Sequence, residues 1–330
     1  MSSSSSDSFT VKVMTFNIQQ LYDMGPKTWW DQANRAARIP QAIEKMCTDD
    51  ESQYPDVLIL NECFNSYAAT IAQQLQSLFP YQTPIIGKSD THNWKTTSGD
   101  FRNKYHMING GVMILSRHKI LEQHQYIYQT THANTWDAWA NKGICYAKIA
   151  VAGNHSVHVL GTHLQADEGH VPHADTHQVR MAQLKEMRDY VTQELSLPTT
   201  ERVILGGDLN VELTTEEFRH DLERTLQTTV HCDNPPPIGS FSTSHNMMTK
   251  ANARANAQSE ERNEVLDYLL IPSEYAQPLG DSAKFDVVPL KAAESWYWSY
   301  LDKHWPEKQG MHNDLSDHYP VMATFRFSTA

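Results

Sequence analysis

The chain has 330 residues, with 27 lysines and arginines against 39 aspartates and glutamates, so its formal net charge is −12. That balance disfavours broad nucleic-acid binding, which needs a basic surface to displace counterions. No apolar run reaches the roughly 18 residues of a membrane-spanning helix, and none of the four cysteines belongs to a CxxC pair, which disfavours a cysteine-ligated zinc site.

The N-terminal sequence MSSSSSDSF contains neither the basic segment nor the apolar segment of a signal peptide. We therefore predict that residues 1–9 form a disordered polar leader. No linker visibly divides the remaining chain, and no internal repeat of fixed period is present. A length of this order is normal for one large α/β domain, so residues 10–330 are predicted to form a single domain.

Apolar runs typical of β-strands alternate with segments of helical character along the chain. The predicted strands are 11–17, 56–62, 110–116, 120–128, 143–151, 157–163, 203–208, 265–271 and 320–327. Helices are predicted within 32–48, where Pro40 limits or kinks the helix, over 66–78 and, with the clearest apolar spacing, over 175–195. Two regions rich in Asn, Ser, Thr and Pro are predicted to be loops, namely 88–108 and 231–262.

Polar residues stand at or beside the ends of several of these predicted strands. They are Asn17, Asn61, Glu62, His163, Asp208, Asn210, Asp317 and His318. Each taken alone has an ordinary explanation as a turn residue, an exposed carboxylate or a half-buried histidine. Together they indicate a site, because neighbouring strand ends lie close in space and α/β sheets form ligand sites there.

The residue types suit metal-assisted chemistry on a phosphate ester. Asn17 and Glu62 offer hard oxygen ligands, which favour Mg²⁺ over softer metals. A metal held by few carboxylates keeps room for the phosphate oxygens of a substrate. His163 and His318 can act as acid and base near neutral pH.

Further residues would support these groups. Asp208 and Asn210, in GGDLN, can orient an attacking water and hydrogen-bond a phosphoryl oxygen. Asp267 lies within the apolar run VLDYLLI, where an unpaired carboxylate is costly to bury. An imidazole is a good partner for it, because a carboxylate behind a histidine fixes the tautomer and stabilises the charged ring.

The order of these motifs resembles that of the DNase I-like phosphoesterase superfamily, which includes endonucleases, inositol polyphosphate phosphatases and sphingomyelinases. The finer sequence is similar to the bacterial neutral sphingomyelinases, the sphingomyelinases C. The similar runs cover nearly the whole chain and are VKVMTFNIQ, DVLILNE, NGGVMILSR, NKGICYAKI, GTHLQA, GGDLNV, VLDYLL and SDHYPV.

The resemblance implies a DNase I-like four-layer sandwich of the α/β (α+β) class, with two packed mixed β-sheets flanked by helices. It implies Mg²⁺-dependent hydrolysis of sphingomyelin to ceramide and phosphocholine, with Mn²⁺ or Co²⁺ able to replace Mg²⁺. By the same resemblance, Glu62 holds the metal, with Asn17 beside it and Asp317 in its outer shell. His318, oriented by Asp267, is the general base that activates water.

The resemblance also assigns the remaining site residues. His163 contacts the phosphate and assists departure of the ceramide oxygen, while Asp208 and Asn210 position water and phosphate. Asp137, in DAWANKG, matches a family aspartate that lies near the metal and the phosphate. Some family members bind a second metal near the GGV strand, but the loop before that strand reads MING here and has no acidic residue.

Four aromatic residues fall within the segment SWYWSY at 295–300. Aromatic side chains favour the lipid–water interface, and the family has a β-hairpin here whose exposed aromatics dock on membranes. Trp296, Tyr297 and Trp298 are therefore predicted to contact lipid. The alternative is a core strand or an internal aromatic cluster.

The implied partner is a sphingomyelin-containing membrane surface, bound peripherally by a monomer, and no nucleic acid is expected. The resemblance implies secretion although the chain shows no signal peptide, so a cytoplasmic location stays open. The alternative function is that of another phosphodiesterase or phosphatase of the same fold, acting on a lysophospholipid, an inositol phosphate or a nucleic acid.

Overall fold

The structure is a computed structural model that describes residues 8–22, 30–88, 93–101, 108–151, 155–232, 236–256, 258–280 and 282–329. The strands are β1 (Ser8–Gln20), β2 (Val57–Cys63), β3 (Tyr81–Gln82), β4 (Thr96–Gly99), β5 (Met113–Ser116), β6 (Ile120–Ile127), β7 (Gly143–Ala150), β8 (Ser156–His163), β9 (Val203–Asp208), β10 (Phe241–Ser242), β11 (Asn263–Glu264), β12 (Asp267–Leu270), β13 (Phe285–Val287), β14 (Lys291–Tyr297), β15 (Met311–Asp314) and β16 (Val321–Ser328). The α-helices are α1 (Gln32–Asp49), α2 (Ser66–Gln74), α3 (His173–Asp189), α4 (Glu216–Leu226), α5 (Met247–Ala255) and α6 (Ser299–His304).

Two six-stranded mixed sheets form the centre of the molecule. The first sheet has the strand order β13-β16-β1-β2-β5-β3, and the second has the order β12-β9-β8-β7-β6-β4. In the first, β1 pairs parallel with β2 and antiparallel with β16. In the second, β8 pairs parallel with β9 and antiparallel with β7. Two short pairs, β10-β11 and β14-β15, lie outside these sheets.

Alternate side chains of β1 face opposite sides of the first sheet. Val11 and Val13 belong to the apolar cluster that also contains Val159 of β8 and Ile204 of β9. Met14 belongs instead to a second cluster, which contains residues of α1 and α2. The first sheet therefore packs on the second sheet through one face and on α1 and α2 through the other.

Helices α3 and α4 cover the second sheet. Leu184 and Met187 of α3 and Leu222 and Leu226 of α4 are buried in the cluster that contains the strands of that sheet. The resulting order of helices, sheet, sheet and helices confirms the predicted architecture of two packed mixed sheets flanked by helices.

Two glycines let the sheets approach closely near the ends of their central strands. Gly161 of β8 and Gly206 of β9 both face Ile59 of β2, and a Cβ atom on them would lie 2.8 and 2.9 Å from the Ile59 side chain. No side chain fits at either place without displacing that residue. The glycines of the GTH and GGD motifs thus let β8 and β9 lie close against β2.

Most predicted elements are present, with ends shifted by a few residues. The helix predicted within 32–48 is α1, and Pro40 lies inside it without ending it. The helix predicted over 175–195 begins at His173 and ends at Asp189, and a π-helical turn, Tyr190–Glu194, follows it. Among the described residues, no helix has the length and apolarity needed to cross a membrane.

Some sequence predictions of irregular structure are wrong. Ser8 and Phe9, assigned to a disordered leader, begin β1 and pair with β16; residues 1–7 lie outside the described residues. The region 88–108 contains β4, and 231–262 contains β10 and α5. The Asn-rich composition of the second region misled the prediction, because Asn246 caps α5 by accepting hydrogen bonds from the first turn of the helix.

Candidate active site

Strand ends from both sheets meet at one edge of the molecule. The strand register places Asn17 of β1 beside Asn61 of β2, and His163 of β8 beside Asp208 of β9. Asp267, the first residue of antiparallel β12, also pairs with Asp208. Between the sheets, Asn17 Nδ2 donates a hydrogen bond to Asp208 Oδ2 at 2.9 Å. The strand-end residues singled out in the sequence therefore come together in space.

His318 and Asp267 form a buried pair, as the sequence predicts. His318 Nδ1 lies 2.8 Å from Asp267 Oδ2, and His318 Nε2 lies 3.8 Å from Asp208 Oδ2. Since a carboxylate accepts, Nδ1 carries the proton of this hydrogen bond and Nε2 of a neutral ring is left to take up a proton. Burial lowers the pKa of His318, but the charges of Asp267 and Asp208 outweigh burial and hold that pKa well above its usual value.

One carboxylate oxygen of Glu62 has no hydrogen-bond partner in the described part of the chain. Its backbone has a positive φ of 57°, in the left-handed region that few non-glycine residues adopt. Oε1 accepts a hydrogen bond from Asn17 at 2.9 Å, whereas Oε2 is buried and has no hydrogen-bond partner among the described residues. Burial and then the charge of Asp317 raise the pKa of Glu62 to about 7. A cation at this oxygen would relieve both costs.

Asn17 supplies N–H groups rather than its oxygen to the site. Its Oδ1 accepts from the backbone N–H of Gln19 at 3.0 Å, which fixes the orientation of the amide. Its Nδ2 therefore points at the carboxylates of Glu62 and Asp208. In this arrangement Asn17 holds two acidic side chains together and does not present an oxygen to a metal.

Asp317 is held by two side chains that the sequence did not single out. Its Oδ2 accepts from Gln19 Nε2 at 2.8 Å and from Asn252 Nδ2 at 2.5 Å. The remaining oxygen of the Gln19 amide, Oε1, is buried without a partner among the described residues. Asp317 thus reaches Glu62 through its charge, while its direct contacts orient the SDH segment.

His163 lies beside a lysine that the sequence prediction missed. Lys142 Nζ lies 3.3 Å from His163 Nε2 and donates to the Leu164 carbonyl at 2.9 Å. Burial, reinforced by the positive charge of Lys142, lowers the pKa of His163 well below its usual value. The ring is therefore neutral near pH 7, and Nδ1 is buried with no partner among the residues described.

Asp137 reaches the site through Lys142. Asp137 Oδ2 accepts from Lys142 Nζ at 2.8 Å and from the backbone N–H of Ala166 at 2.7 Å. Within the described part of the chain its side-chain contacts are with Lys142 and Ala166, so it positions the lysine. The NKG sequence after DAWA was the available signal, since a lysine at the mouth of a predicted strand needs an acidic partner once buried.

Asp208 and Asn210 form the turn that ends β9. Asp208 Oδ1 accepts the backbone N–H of Asn210 at 3.0 Å, and Asn210 has a positive φ of 52°. Asn210 Nδ2 donates to the Leu164 carbonyl at 3.2 Å. Burial and the neighbouring Asp267 raise the pKa of Asp208 to about 6. The two residues therefore link the ends of β8 and β9, and their role in positioning water and phosphate stays a prediction.

A cavity of about 640 Å³ opens over these groups and is lined by Glu62, His163, Asp208, Asp317 and His318, among others. Ligand atoms of Glu62, His163 and Asp208 lie within 4.8 Å of one another, as do those of Asp208, Asp267 and His318. The donors available to a ligand are mostly carboxylate oxygens, which suit a hard divalent cation. The unpaired oxygen of Glu62 makes this residue the best candidate to hold one.

The aromatic segment near residue 297 differs from its prediction. Trp296 and Trp298 are only 6% and 1% exposed, whereas Tyr297 is 53% exposed. Trp296 donates its indole N–H to Asp31 and lies under Arg38, and Trp298 packs against Trp30. The prediction of lipid contact is therefore wrong for Trp296 and Trp298 in this conformation, because both rings fill apolar clusters beside α1 and α6. For Tyr297 it stays a prediction.

Trp296→Ala is expected to lower the free energy of unfolding by about 3–5 kcal/mol, as usual for truncating a buried aromatic residue. The change also leaves the Asp31 carboxylate without the indole donor. Tyr297→Ala is the matched control and is expected to cost far less, because its ring is half exposed. Urea unfolding of both variants measures the difference, and equal costs would contradict the burial of Trp296.

Comparison with known proteins gives concordant results. Residues 14–318 match the model of the Endonuclease/Exonuclease/phosphatase family. The chain is 33% identical to a sphingomyelinase C of Bacillus cereus over 96% of this chain and 88% of that protein. It is 30% identical to a sphingomyelinase C of Listeria ivanovii over 89% of this chain and 80% of that protein.

Solved structures agree with this relationship. The crystal structure of a beta toxin variant from Staphylococcus aureus with bound magnesium ions superposes with a TM-score of 0.79 at 27% identity, covering 97% of this chain and all of that one. Sphingomyelinase C from Streptomyces griseocarneus gives a TM-score of 0.77 at 26% identity, covering 96% and 99% of the two chains. The chain belongs to the endonuclease/exonuclease/phosphatase family and, within it, to the sphingomyelinase C group.

Proposed function

We propose that this protein is a Mg²⁺-dependent phosphodiesterase that hydrolyses sphingomyelin to ceramide and phosphocholine. The observation that carries the proposal is that His318, paired with Asp267, and Glu62, which has an unpaired buried oxygen among the described residues, line the same cavity. A base beside a cation site is what attack of water on a phosphodiester requires. The sphingomyelinase C relatives support the choice of substrate.

Glu62 would hold the metal, with Asp208 the next carboxylate within reach. Bound Mg²⁺ supplies positive charge that neutralises the phosphoryl oxygens of the substrate. Asn17 holds the carboxylates of Glu62 and Asp208 together by donating a hydrogen bond to each. Gln19 donates a hydrogen bond that holds Asp317 in place. Mn²⁺ and Co²⁺, which accept the same oxygen donors, are expected to replace Mg²⁺.

His318 would accept the proton of the attacking water at Nε2. The hydrogen bond from Nδ1 to Asp267 fixes the tautomer in which Nε2 is free, and the carboxylate stabilises the ring once it is charged. Asp208, which lies on the Nε2 side, adds to this stabilisation. The protein thus prepares a largely buried histidine at the cavity to take up a proton.

His163, with the charge of Lys142 beside it, would hydrogen-bond the phosphate and so assist departure of the ceramide oxygen, which takes a proton from water as its bond to phosphorus breaks. A neutral His163 whose Nε2 faces the lysine carries its proton on Nδ1, and that N–H has no partner among the described residues. It can donate a hydrogen bond to a phosphoryl oxygen. Lys142, positioned by Asp137, contributes the fixed positive charge beside it.

The charge of the cavity favours a choline phosphodiester over polyanionic substrates. Among the described residues that line it, Arg262 is the single arginine and no lysine occurs. Five further carboxylates line it, of which Asp167 is paired with Arg180 and Glu264 with Arg262, and the others are Glu168, Glu212 and Glu261. Inositol polyphosphates and nucleic acids need several cationic partners, whereas these acids attract the trimethylammonium group of choline.

The proposal places the protein at a membrane surface as a peripheral enzyme that needs no nucleic acid. Its action as a monomer and its secretion stay predictions. Both follow from the resemblance to bacterial neutral sphingomyelinases, and an oligomer or a cytoplasmic location would leave the proposed chemistry intact.

The test is release of phosphocholine from sphingomyelin vesicles, with Mg²⁺ and with EDTA. We expect release with Mg²⁺, none with EDTA, and recovery when Mg²⁺ is restored in excess, because the buried Oε2 of Glu62 has no hydrogen-bond partner among the described residues and is the best candidate to hold the cation. Phosphatidylcholine vesicles are the control for head-group and backbone preference. Release of phosphocholine that persists in EDTA would contradict the role given to the metal. If neither lipid releases phosphocholine, the proposal that sphingomyelin is the substrate is wrong.

A further inference from the structure

Two exposed tryptophans project from a single turn. Trp136 and Trp139 begin and end the 3₁₀ helix Trp136–Trp139 and are 61% and 53% exposed. Side chains three residues apart on a 3₁₀ helix lie on the same side of it. Among the tryptophans that the structure describes, these alone have half or more of their surface exposed. Water therefore meets two large aromatic rings on one side of the turn.

The turn is fixed to the wall of the catalytic cavity. The backbone N–H of Trp136 donates to Glu168 Oε1 at 2.5 Å, and Glu168 lines the cavity. Asp137, the next residue, accepts from the N–H of Ala166, another lining residue, and from Lys142. The turn that carries the two rings is thus hydrogen-bonded to residues that line the cavity.

We propose that Trp136 and Trp139 dock this protein on a lipid surface rich in choline head groups. The inference rests on the proposed function, which requires a lipid to enter the cavity. Tryptophan favours the boundary between water and acyl chains, and its ring face attracts quaternary ammonium groups. The two rings can therefore contact both the acyl-chain boundary and the choline head groups of such a surface.

The negative charge of the protein indicates which lipid head groups such a docking surface would accept. The chain has a net charge of −12, and acidic residues such as Glu168 and Glu261 line the adjoining cavity. Anionic lipid head groups are repelled by this rim, whereas the outward trimethylammonium groups of zwitterionic choline lipids are attracted. Docking is accordingly aromatic rather than polybasic and depends little on salt.

Burial of the tryptophans in the segment 295–300 agrees with this assignment. Trp296 and Trp298 are committed to apolar clusters, so the segment expected to dock exposes Tyr297 as its aromatic residue. The turn that carries Trp136 and Trp139 offers the exposed aromatic area instead. The docking surface of this chain is therefore on the loop before β7, directly beside Asp137.

The test measures binding of the Mg²⁺-loaded protein to phosphatidylcholine vesicles by co-sedimentation. The variants are Trp136→Ala/Trp139→Ala and, as a matched control, Tyr81→Ala, which removes an aromatic ring that is 41% exposed on the edge strand β3. We expect the double variant to lose about tenfold or more in partitioning and the control to match the wild type. Adding phosphatidylglycerol to the vesicles should weaken wild-type binding.

A second readout separates docking from damage to the site. Brominated phosphatidylcholine should quench part of the wild-type tryptophan fluorescence, and Trp136→Phe/Trp139→Phe should lose that part while keeping ring-sized side chains. Turnover of a soluble choline phosphodiester is measured alongside. Three results would overturn the proposal. They are wild-type partitioning of Trp136→Ala/Trp139→Ala, wild-type quenching of Trp136→Phe/Trp139→Phe, and a loss of soluble turnover in the alanine variant as large as its loss of vesicle binding. Binding to sphingomyelin vesicles without release of phosphocholine from them would instead uphold docking and reject the proposed function.

Discussion

His318→Ala is expected to reduce turnover of sphingomyelin and of soluble choline phosphodiesters by about 10²- to 10⁴-fold, the usual contribution of a positioned general base. The reason is geometric, since Nε2 of His318 faces the cavity while Nδ1 is held by Asp267. Substrate affinity should change much less than turnover, because the proton is transferred only during reaction.

The alanine variant also removes the partner of a fully buried carboxylate, which costs stability by itself. His318→Gln keeps an N–H donor that can reach Asp267 and is therefore the better measure, with circular dichroism to confirm folding. A folded His318→Gln protein that retains wild-type turnover would remove His318 from the role of base. Asp267→Asn should lower the pKa of His318 and move the rising limb of the pH–rate profile to lower pH.

Glu62→Gln is expected to abolish the response to Mg²⁺ and at the same time to stabilise the metal-free protein at pH 8. The folded-state pKa of Glu62 is raised to about 7 from 4.5, so ionising the buried group destabilises the fold by about 3 kcal/mol. That cost is complete above pH 7, declines as pH falls, and is absent below the unfolded pKa. Glutamine removes the charge and its repulsion from Asp317.

Thermal unfolding at pH 8 and at pH 4, with and without Mg²⁺, measures this pattern. Without metal, the variant should melt above the wild type at pH 8 and level with it at pH 4. Mg²⁺ should raise the melting temperature of the wild type and have little effect on the variant. Asn65→Ala, which removes a helix-capping residue just after β2, is a control that destabilises without altering the Mg²⁺ response. An equal Mg²⁺ shift in wild type and Glu62→Gln would place the cation elsewhere.

The alternation of strands and the polar strand ends were readable because they depend on local sequence. The strand predicted over 11–17 and the GGD segment place Asn17 and Asp208 at or near strand ends from local sequence alone, although β1 continues to Gln20. The pairing of Asp267 with His318 followed from the cost of burying a carboxylate in VLDYLLI, and the structure contains it.

The supporting residues were not readable because their function depends on distant partners. Gln19 and Asp317 are 298 positions apart in the chain, and Asn252 lies on a helix in a segment that composition assigned to a loop. Lys142 acquires its role only when Asp137 and His163 close around it.

The exposure of aromatic residues could not be predicted from local sequence either. SWYWSY resembles an exposed aromatic cluster, but α1 lies on Trp296 and Trp30 packs on Trp298. The tryptophans of WDAW, residues 136–139, were overlooked because only two rings occur there, although both are exposed. Local sequence indicated where aromatics lie, whereas the packing of neighbouring helices decided which of them water can reach.

Hydrolysis of sphingomyelin in water enriched in ¹⁸O, followed by mass analysis of both products, tests the central claim most directly. Attack of water on phosphorus, with the proton accepted by His318, predicts that the heavy oxygen appears in phosphocholine and that ceramide remains unlabelled. Label in ceramide, or hydrolysis that releases choline in place of phosphocholine, would contradict the account.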